Sequence, residues 1–322
     1  MAQLAAYGLA MTARETADRS AGQRTSELRR VTRAIAVSRP GSRMLDWSLA
    51  HLNRIVDALG DEVTGAEIAT ALRSAADSLA MDAQLDHAQI AQHAAALLPR
   101  PDGRPLHVLV HGDPGALTSG IVGTAINALM LRAADGAPMH VWVTETRPYL
   151  EGARLATWEL TNAGIEHTLL PDSAVASLLD AEPIDAVLLG AEWIAANGDT
   201  ANVIGSRAVA ELAAAAVHGP VPVYVCTPVT TFDPDTPDGA AIPADVRPAR
   251  ELGTFLTGVR MDKLRGYNPG ADVIPARRVS AFVTEMGVFT PTDGDGLRTA
   301  LAARSDRRQA SVTAVPTLAG DD

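Results

Sequence analysis

Polar residues able to do chemistry gather in four short stretches of the chain. His111, Asp113 and Ser119 share one loop with Gly112 and Gly115, two residues that let a backbone approach a ligand closely. Such a loop suits acid/base work or the cradling of an anion; it equally suits a tight turn in which Asp113 caps the next helix. Glu145, Arg147, Glu151 and Arg154 crowd a second stretch. The Arg147 fork there fits a carboxylate or a phosphate, or neutralises the neighbouring acids. Glu192 lies between Ala191 and Trp193. Partial desolvation would raise its pKa and fit it for general-acid duty, with local capping or pairing as the alternative. Asn197, Asp199 and Asn202 form a polar loop that reads as entering a helix, with Asp199 either an active acid or a cap.

Other reactive groups are sparse. Cys226 is the only cysteine, which excludes an internal disulfide and a cysteine-rich zinc site. Its place at a strand end reads as a small buried residue sooner than a nucleophile. Lys263, the only lysine, is the single Schiff-base candidate. No compact His/Asp/Glu spacing suggests a metal site, and neither a complete Gly-x-Gly-x-x-Gly nor a Walker loop is present. No metal and no organic cofactor is expected.

The elements that must position these residues follow from hydrophobic spacing. Residues 1–103 read as helical: Leu45, Leu49, Leu52, Val56 and Leu59 recur at intervals of three and four. Thr64 and Glu67 have the spacing of a capping box, opening a helix through Ile68, Leu72, Ala76 and Leu79. Another helix is expected to end near Leu98, before the breakers from Pro99 to Gly103. From 104 to 300 the pattern becomes strand, polar loop, helix. Strands are expected at 107–110, 139–143, 184–189 and 221–226, with a last short one near Val288 and Phe289. This is an α/β, Rossmann-like fold, a mostly parallel sheet with helices on both faces, preceded by a helical N-terminal region. In such sheets ligands bind beyond the carboxyl ends of the strands, where the polar stretches fall. Residues 301–322 are small and polar without a period, and read as a flexible tail.

Of the 322 residues, 47% are hydrophobic and 20% charged, a folded and not a disordered composition. The 38 acidic against 27 basic residues give a net charge of -11, which argues against non-specific nucleic-acid binding. No apolar run approaches a membrane span, and the start has no signal-peptide pattern. The expectation is a cytoplasmic protein with a small-molecule substrate and neither nucleic acid nor membrane as partner.

Several motifs, in order, carry a resemblance. They are Ala6-Tyr-Gly-Leu-Ala10, Arg39-Pro40, His111 to Ser119, Thr146-Arg-Pro148 and Gly152-Ala-Arg-Leu-Ala-Thr-Trp-Glu-Leu160. Further along come Gly190 to Gly205, Tyr224 to Asp233, Asn268-Pro269 and Thr284-Glu285. The chain resembles the 5-methylthioribose-1-phosphate isomerase family over roughly residues 5 to 295. That family is related to ribose-1,5-bisphosphate isomerase and to regulatory subunits of the translation-initiation exchange factor. The resemblance implies interconversion of an aldose and a ketose phosphate by a cysteine and an aspartate, without a cofactor, in a homodimer. Those two positions fall at Gly112 and Glu192, and Asp113 stands where the family carries asparagine. The family's phosphate-binding glutamine and lysine fall at Glu151 and Val203, while Arg39 and Arg147 remain. The resemblance further implies that the usual first lobe, with its Arg-Gly-Ala-Pro segment, is largely missing.

Three explanations compete: an isomerase with its proton transfer relocated to Asp113, His111 or Glu192; different acid/base chemistry on a less phosphorylated metabolite; or a non-catalytic binding or regulatory protein. The reading adopted is a divergent enzyme. Asp113 is its base, Glu192 its acid and His111 a relay, with Arg39, Arg147, Glu151, Asp199, Asn202 and Ser119 binding the substrate.

Overall fold

The computed structural model describes residues 1–60, 63–254 and 265–313, with side chains as far as Arg304. Lys263 lies outside the described residues.

Four helices form the N-terminal region: α1 (Ala2–Glu15), α2 (Ala21–Ala36), α3 (Arg43–Leu59) and α4 (Gly65–Leu97). Ala5, Ala6, Leu9, Ala10 and Ala13 bury one face of α1 against Leu45, Leu49 and Leu52 of α3 and Leu72, Ala76 and Leu79 of α4. The alanines permit a close approach between helix axes. The capping box forms as its spacing predicts: Thr64 Oγ1 accepts from the Glu67 amide at 3.3 Å, and Glu67 Oε2 accepts from the Thr64 amide at 2.9 Å. The two helices expected between Thr64 and Leu98 are one helix of 33 residues. No glycine or proline interrupts it after Gly65, so nothing stops propagation. Its first half belongs to the helical core, and its second half, through Ile90, Ala91 and Ala94, packs on the sheet.

The main sheet contains β1 (Leu106–Val110), β2 (Met139–Thr144), β3 (His167–Leu170), β4 (Ala186–Leu189), β7 (Val223–Cys226), β10 (Ala281–Thr284) and β11 (Gly287–Phe289). Their spatial order is β11-β10-β7-β4-β1-β2-β3, parallel throughout except for the β10–β11 hairpin. Alternation splits each strand between two cores. Val108, Val110, Ala186, Leu188 and Cys226 meet α4, α6 (Ala125–Ala134) and α7 (Thr157–Asn162), which follows α5 (Ala116–Ser119). Leu109, Val187, Leu189, Val225 and Phe282 meet α8 (Val175–Ala181), α9 (Ser206–Ala214) and α10 (Gly294–Thr313). The parallel sheet with helices on both faces is thus the architecture that the strand–loop–helix pattern predicts.

A second sheet was not foreseen. It comprises β5 (Trp193–Ala195), β6 (Thr200–Val203), β8 (Phe232–Asp233) and β9 (Ala271–Ile274), in the order β8-β5-β6-β9. The stretch from Gly190 to Asp199 therefore holds a strand, and Asn202 sits in a strand instead of in a loop entering a helix. Strands of three or four residues carry too little periodicity to be seen in isolation. The tail expected from 301 needs a similar correction, because α10 continues through Thr313. Arg304, in that stretch, is buried; its guanidinium bonds Asp86 on α4, and its Nε donates to Glu285 at 3.1 Å.

The chain runs outward from β1 through β2 to β3, then returns to β4 on the other side of β1. The gap between the carboxyl ends of β1 and β4 is therefore the topological switch point, where open α/β sheets place their ligands.

Candidate active site

A cavity of about 350 Å³ opens at this switch point. Gly112 and Asp113 enter it from the end of β1, Glu192 from beyond β4, Asn202 and Val203 from β6, and Glu151 from the loop after β2. The helical region supplies the opposite wall with Arg39, Asp86 and His87. The cavity is within the size range of small-metabolite sites.

Its floor is held by a buried polar chain. His111 is fully buried, with Nε2 3.0 Å from the Ile204 carbonyl and Nδ1 2.7 Å from Thr144 Oγ1. A carbonyl only accepts, so Nε2 carries the proton and the Thr144 hydroxyl donates to Nδ1. Burial pushes the His111 pKa below its ordinary value, against the opposing pull of Asp172. A neutral ring with both nitrogens engaged ties β1 to the ends of β2 and β6. Thr146 Oγ1 continues the chain by accepting from the Gly112 amide at 3.1 Å. Asp172 holds this corner, accepting from the amides of Thr146 and Arg147 at 2.8 and 2.7 Å. That grip keeps Thr146 at φ 58°, a left-handed conformation unusual for a branched residue. His111, read from the sequence as a relay, is in this geometry an anchor of the loop.

Asp113 is in a different condition. Both of its carboxylate oxygens are buried and neither has a hydrogen-bond partner. Burial, first, and then the negative charges of Glu159 and Glu151 push its pKa up to about 7. Glu159, itself buried, accepts from the amides of Ala116 and Leu117, both at 2.9 Å. It braces the turn that presents Asp113. Within the matched motifs Glu159 is visible in the sequence, yet nothing local shows that it folds back beneath residues 113–117.

Glu192 is paired: Arg39 Nη2 donates to its Oε1 at 2.6 Å. Glu151 lies against the same cavity, and burial raises its pKa, with Arg39 and Arg247 opposing. Asn202 donates from Nδ2 to Ser206 Oγ at 2.9 Å. The Ser119 carbonyl accepts from Gln3 at 3.0 Å, which joins this loop to α1.

Two expected site residues are not brought to the cavity. Arg147 turns its guanidinium away, donating to the carbonyls of Leu252 at 2.6 Å and Thr254 at 3.2 Å. Asp199 accepts from the amides of Ala276 at 2.9 Å and Gly239 at 3.1 Å, and from Asn197 Nδ2 at 3.0 Å. Although burial acts to raise its pKa, these bonds hold it below the ordinary carboxylate value. It ties three loops together. Cys226 is buried, and desolvation pushes its thiol up to about 12, which removes it as a thiolate nucleophile. Among the described residues, no group of three or more His, Cys, Asp or Glu side chains could hold a metal ion. No described helix is long and apolar enough to cross a membrane.

The model of the Initiation factor 2 subunit family matches residues 1–291. The chain belongs to that family. Within it, the chain is 38% identical over 290 residues to the methylthioribose-1-phosphate isomerase of Chloroflexus aurantiacus, covering 89% of this chain and 81% of the relative. It is 36% identical over 303 residues to the same-named protein of Roseiflexus castenholzii, covering 92% of this chain and 83% of that one. Among solved structures it is similar to 5-methylthioribose 1-phosphate isomerase from Pyrococcus horikoshii OT3. That likeness has a TM-score of 0.79 at 27% identity and covers 94% of this chain and 82% of the other. A second likeness is to translation initiation factor eIF-2B, subunit delta, from A. fulgidus. Its TM-score is 0.71 at 27% identity, and it covers 94% of this chain and 85% of that one. The initiation factor 2 subunit family thus joins isomerases to translation factors on one fold, and the residues of the cavity must distinguish them.

Proposed function

We propose that the protein is a divergent isomerase-family enzyme that performs acid/base chemistry on a small polar metabolite. The methylthioribose-1-phosphate isomerase relatives supply the reaction class. The observation that carries the reading is Asp113, whose two carboxylate oxygens are buried at the switch point without a close hydrogen bond; burial and the charges of Glu159 and Glu151 push its pKa up to about 7 against the opposing Gly115 amide and Thr118 hydroxyl. A group so tuned exchanges a proton readily at neutral pH. In the proposed step, the Asp113 carboxylate takes the proton from a carbon next to a substrate carbonyl, and the electron pair moves onto that carbonyl oxygen. The hydroxyl proton on the deprotonated carbon then passes to that oxyanion, and the proton held by Asp113 returns to the former carbonyl carbon, which completes the isomerisation and restores the carboxylate.

Glu192 has a modified place in this scheme. The sequence suggests it as the acid, but its oxygen already accepts a hydrogen bond from Arg39. The pair is better suited to holding substrate hydroxyls, with the guanidinium donating and the carboxylate accepting. Ordinary methylthioribose-phosphate turnover is not part of the reading. Gly112 has no side chain to carry a proton, and Glu151 and Val203 stand where the resemblance implies phosphate-binding side chains. A homodimer is part of it, and a monomer in sedimentation equilibrium would count against that element.

Solvent exchange tests the proposal. The protein is incubated in deuterated water with a panel of hydroxyaldehydes, hydroxyketones and their phosphate esters, and deuterium incorporation beside the carbonyl is followed by NMR. The expected result is catalysed exchange for at least one compound, reduced by about 10²-fold or more in Asp113→Asn. A folded protein that catalyses no exchange would instead support the non-catalytic reading, for which the similarity to the A. fulgidus translation-factor subunit is the motivation.

A further inference from the structure

Resting on the isomerase reading above, we infer that His87 is a second catalytic residue, the group that carries the substrate's hydroxyl proton from one oxygen to the other. The second half of the isomerisation needs such a group. Once Asp113 has taken the proton from carbon, the carbonyl can reappear on the other carbon only when the hydroxyl there gives up its own proton. Asp113 holds the carbon proton at that stage and cannot serve both transfers.

His87 stands on α4, on the wall opposite the strand ends, and is only 7% exposed. Its Nδ1 lies 2.9 Å from the Val122 carbonyl. A carbonyl only accepts, so Nδ1 carries the proton and the neutral ring keeps a lone pair on Nε2. Nε2 has no partner among the described residues and is not sealed from solvent, so it opens on the cavity that the ring lines. Burial lowers the His87 pKa against the pull of the Val122 carbonyl, and the Met1 ammonium lowers it further. The ring is therefore a proton-free base at neutral pH.

The same bond sets His87 against Asp113. Val122 belongs to a segment that folds back on the Asp113 turn: the Thr124 amide and hydroxyl both donate to the Pro114 carbonyl at 3.2 Å. Carboxyl and imidazole are thus anchored to one loop while they enter the cavity from opposite walls, which puts a substrate between them. Other proton carriers on the wall are engaged or silent. Both nitrogens of His111 are bonded, Glu192 is held by Arg39 at 2.6 Å and Asp86 by Arg304, and the Cys226 thiol is pushed up to about 12. Glu151 is the competitor, a carboxyl raised by burial with Arg39 and Arg247 opposing.

In the step, Nε2 takes the proton of the hydroxyl and, as an imidazolium, gives it to the oxyanion. The negative charge moves to the other oxygen. Its electron pair forms the new carbonyl as Asp113 protonates the former carbonyl carbon, and the ring ends neutral, as it began.

Deuterium exchange and product formation, followed together by NMR on the hydroxyaldehyde and hydroxyketone panel, separate the two residues. Exchange needs only Asp113, because the first oxyanion can take a deuteron back at the same carbon. Interconversion also needs the transfer between oxygens. His87→Asn keeps a side-chain donor for the Val122 carbonyl and removes Nε2. It is expected to raise the ratio of exchange to interconversion by about tenfold or more. An unchanged ratio, a raised ratio in Glu151→Gln in its place, or a wild type that exchanges without interconverting would overturn the inference and leave the Asp113 chemistry standing. A wild type that catalyses no exchange would remove the isomerase reading and this assignment with it. Nitrogen-15 NMR of the wild-type imidazole, assigned through its contact with Val122, needs no variant. It is expected to show a proton on Nδ1 and none on Nε2 at neutral pH; a proton on Nε2 would overturn the assignment.

Discussion

Arg39, in the turn after α2, donates to Glu192 beyond β4 across 153 positions of sequence, at 2.6 Å. The contact joins the helical region to the strand ends and closes one side of the cavity. Beside it, the Arg43 amide donates to the Glu192 carbonyl at 3.0 Å, so side chain and backbone act on the same seam.

Removing that pair has a bounded cost. Both side chains are about three-tenths exposed, which places them between a surface pair and a buried one. Arg39→Ala is expected to lower stability in urea by about 1–2 kcal/mol, and added salt should shrink the difference. It should also abolish binding of any hydroxylated ligand that wild type holds. An Arg39→Ala protein with undiminished stability and binding would show that the pair does not organise the cavity.

Asp113 makes stability depend on pH. Its folded-state pKa is raised from 3.8 to about 7, so between those values the folded state keeps a proton that the unfolded state has released. Stability must therefore fall as pH rises through this window and level off above about 7. Asp113→Asn resembles the protonated group and should lose this slope. Near pH 8 it should be more stable than wild type by about 2–4 kcal/mol, and near pH 5 by much less. Urea unfolding at the two pH values decides the matter; parallel behaviour of the two proteins would contradict the assignment.

Gly112 stands at φ 85°, and a Cβ built there would lie 3.0 Å from Val203 Cγ1. Two independent penalties therefore oppose a side chain at the position that resembles the family's cysteine. Gly112→Cys is expected to destabilise the protein by about 1–3 kcal/mol. Val203→Ala in the same chain should recover the steric part and leave the backbone part. A double-mutant cycle measures the coupling, and additive effects would mean that the two residues do not meet.

Arg304 places the buried carboxylate of Glu285 and the largely buried one of Asp86 under one guanidinium. Arg304→Met would take this shared cation from both Asp86 and Glu285, an expected loss of about 3–5 kcal/mol by chemical denaturation. A neutral result would show that this part of α10 does not dock on the body of the protein.

Much of the architecture was legible because its causes are local. The strand cores at Val108–Val110 and Val187–Leu189 are short runs of apolar residues. The Thr64–Glu67 box needs only four consecutive residues, and Gly112 sits where a strand must turn. These features depend on steric preference and on spacing along the chain, which the sequence states directly. Partnership is another matter. Arg147 and Arg39 are equivalent in the sequence as exposed-looking arginines in matched motifs. The fold sends one to the carbonyls of residues 252 and 254 and the other to Glu192. Asp199 and Asp113 likewise differ only in what surrounds them: three donors for the first, and none for either oxygen of the second. The second sheet and the burial of Arg304 also depend on contacts between distant segments. A polar group's charge and role follow from its solvation and its neighbours, and for these residues the tertiary structure alone supplies both.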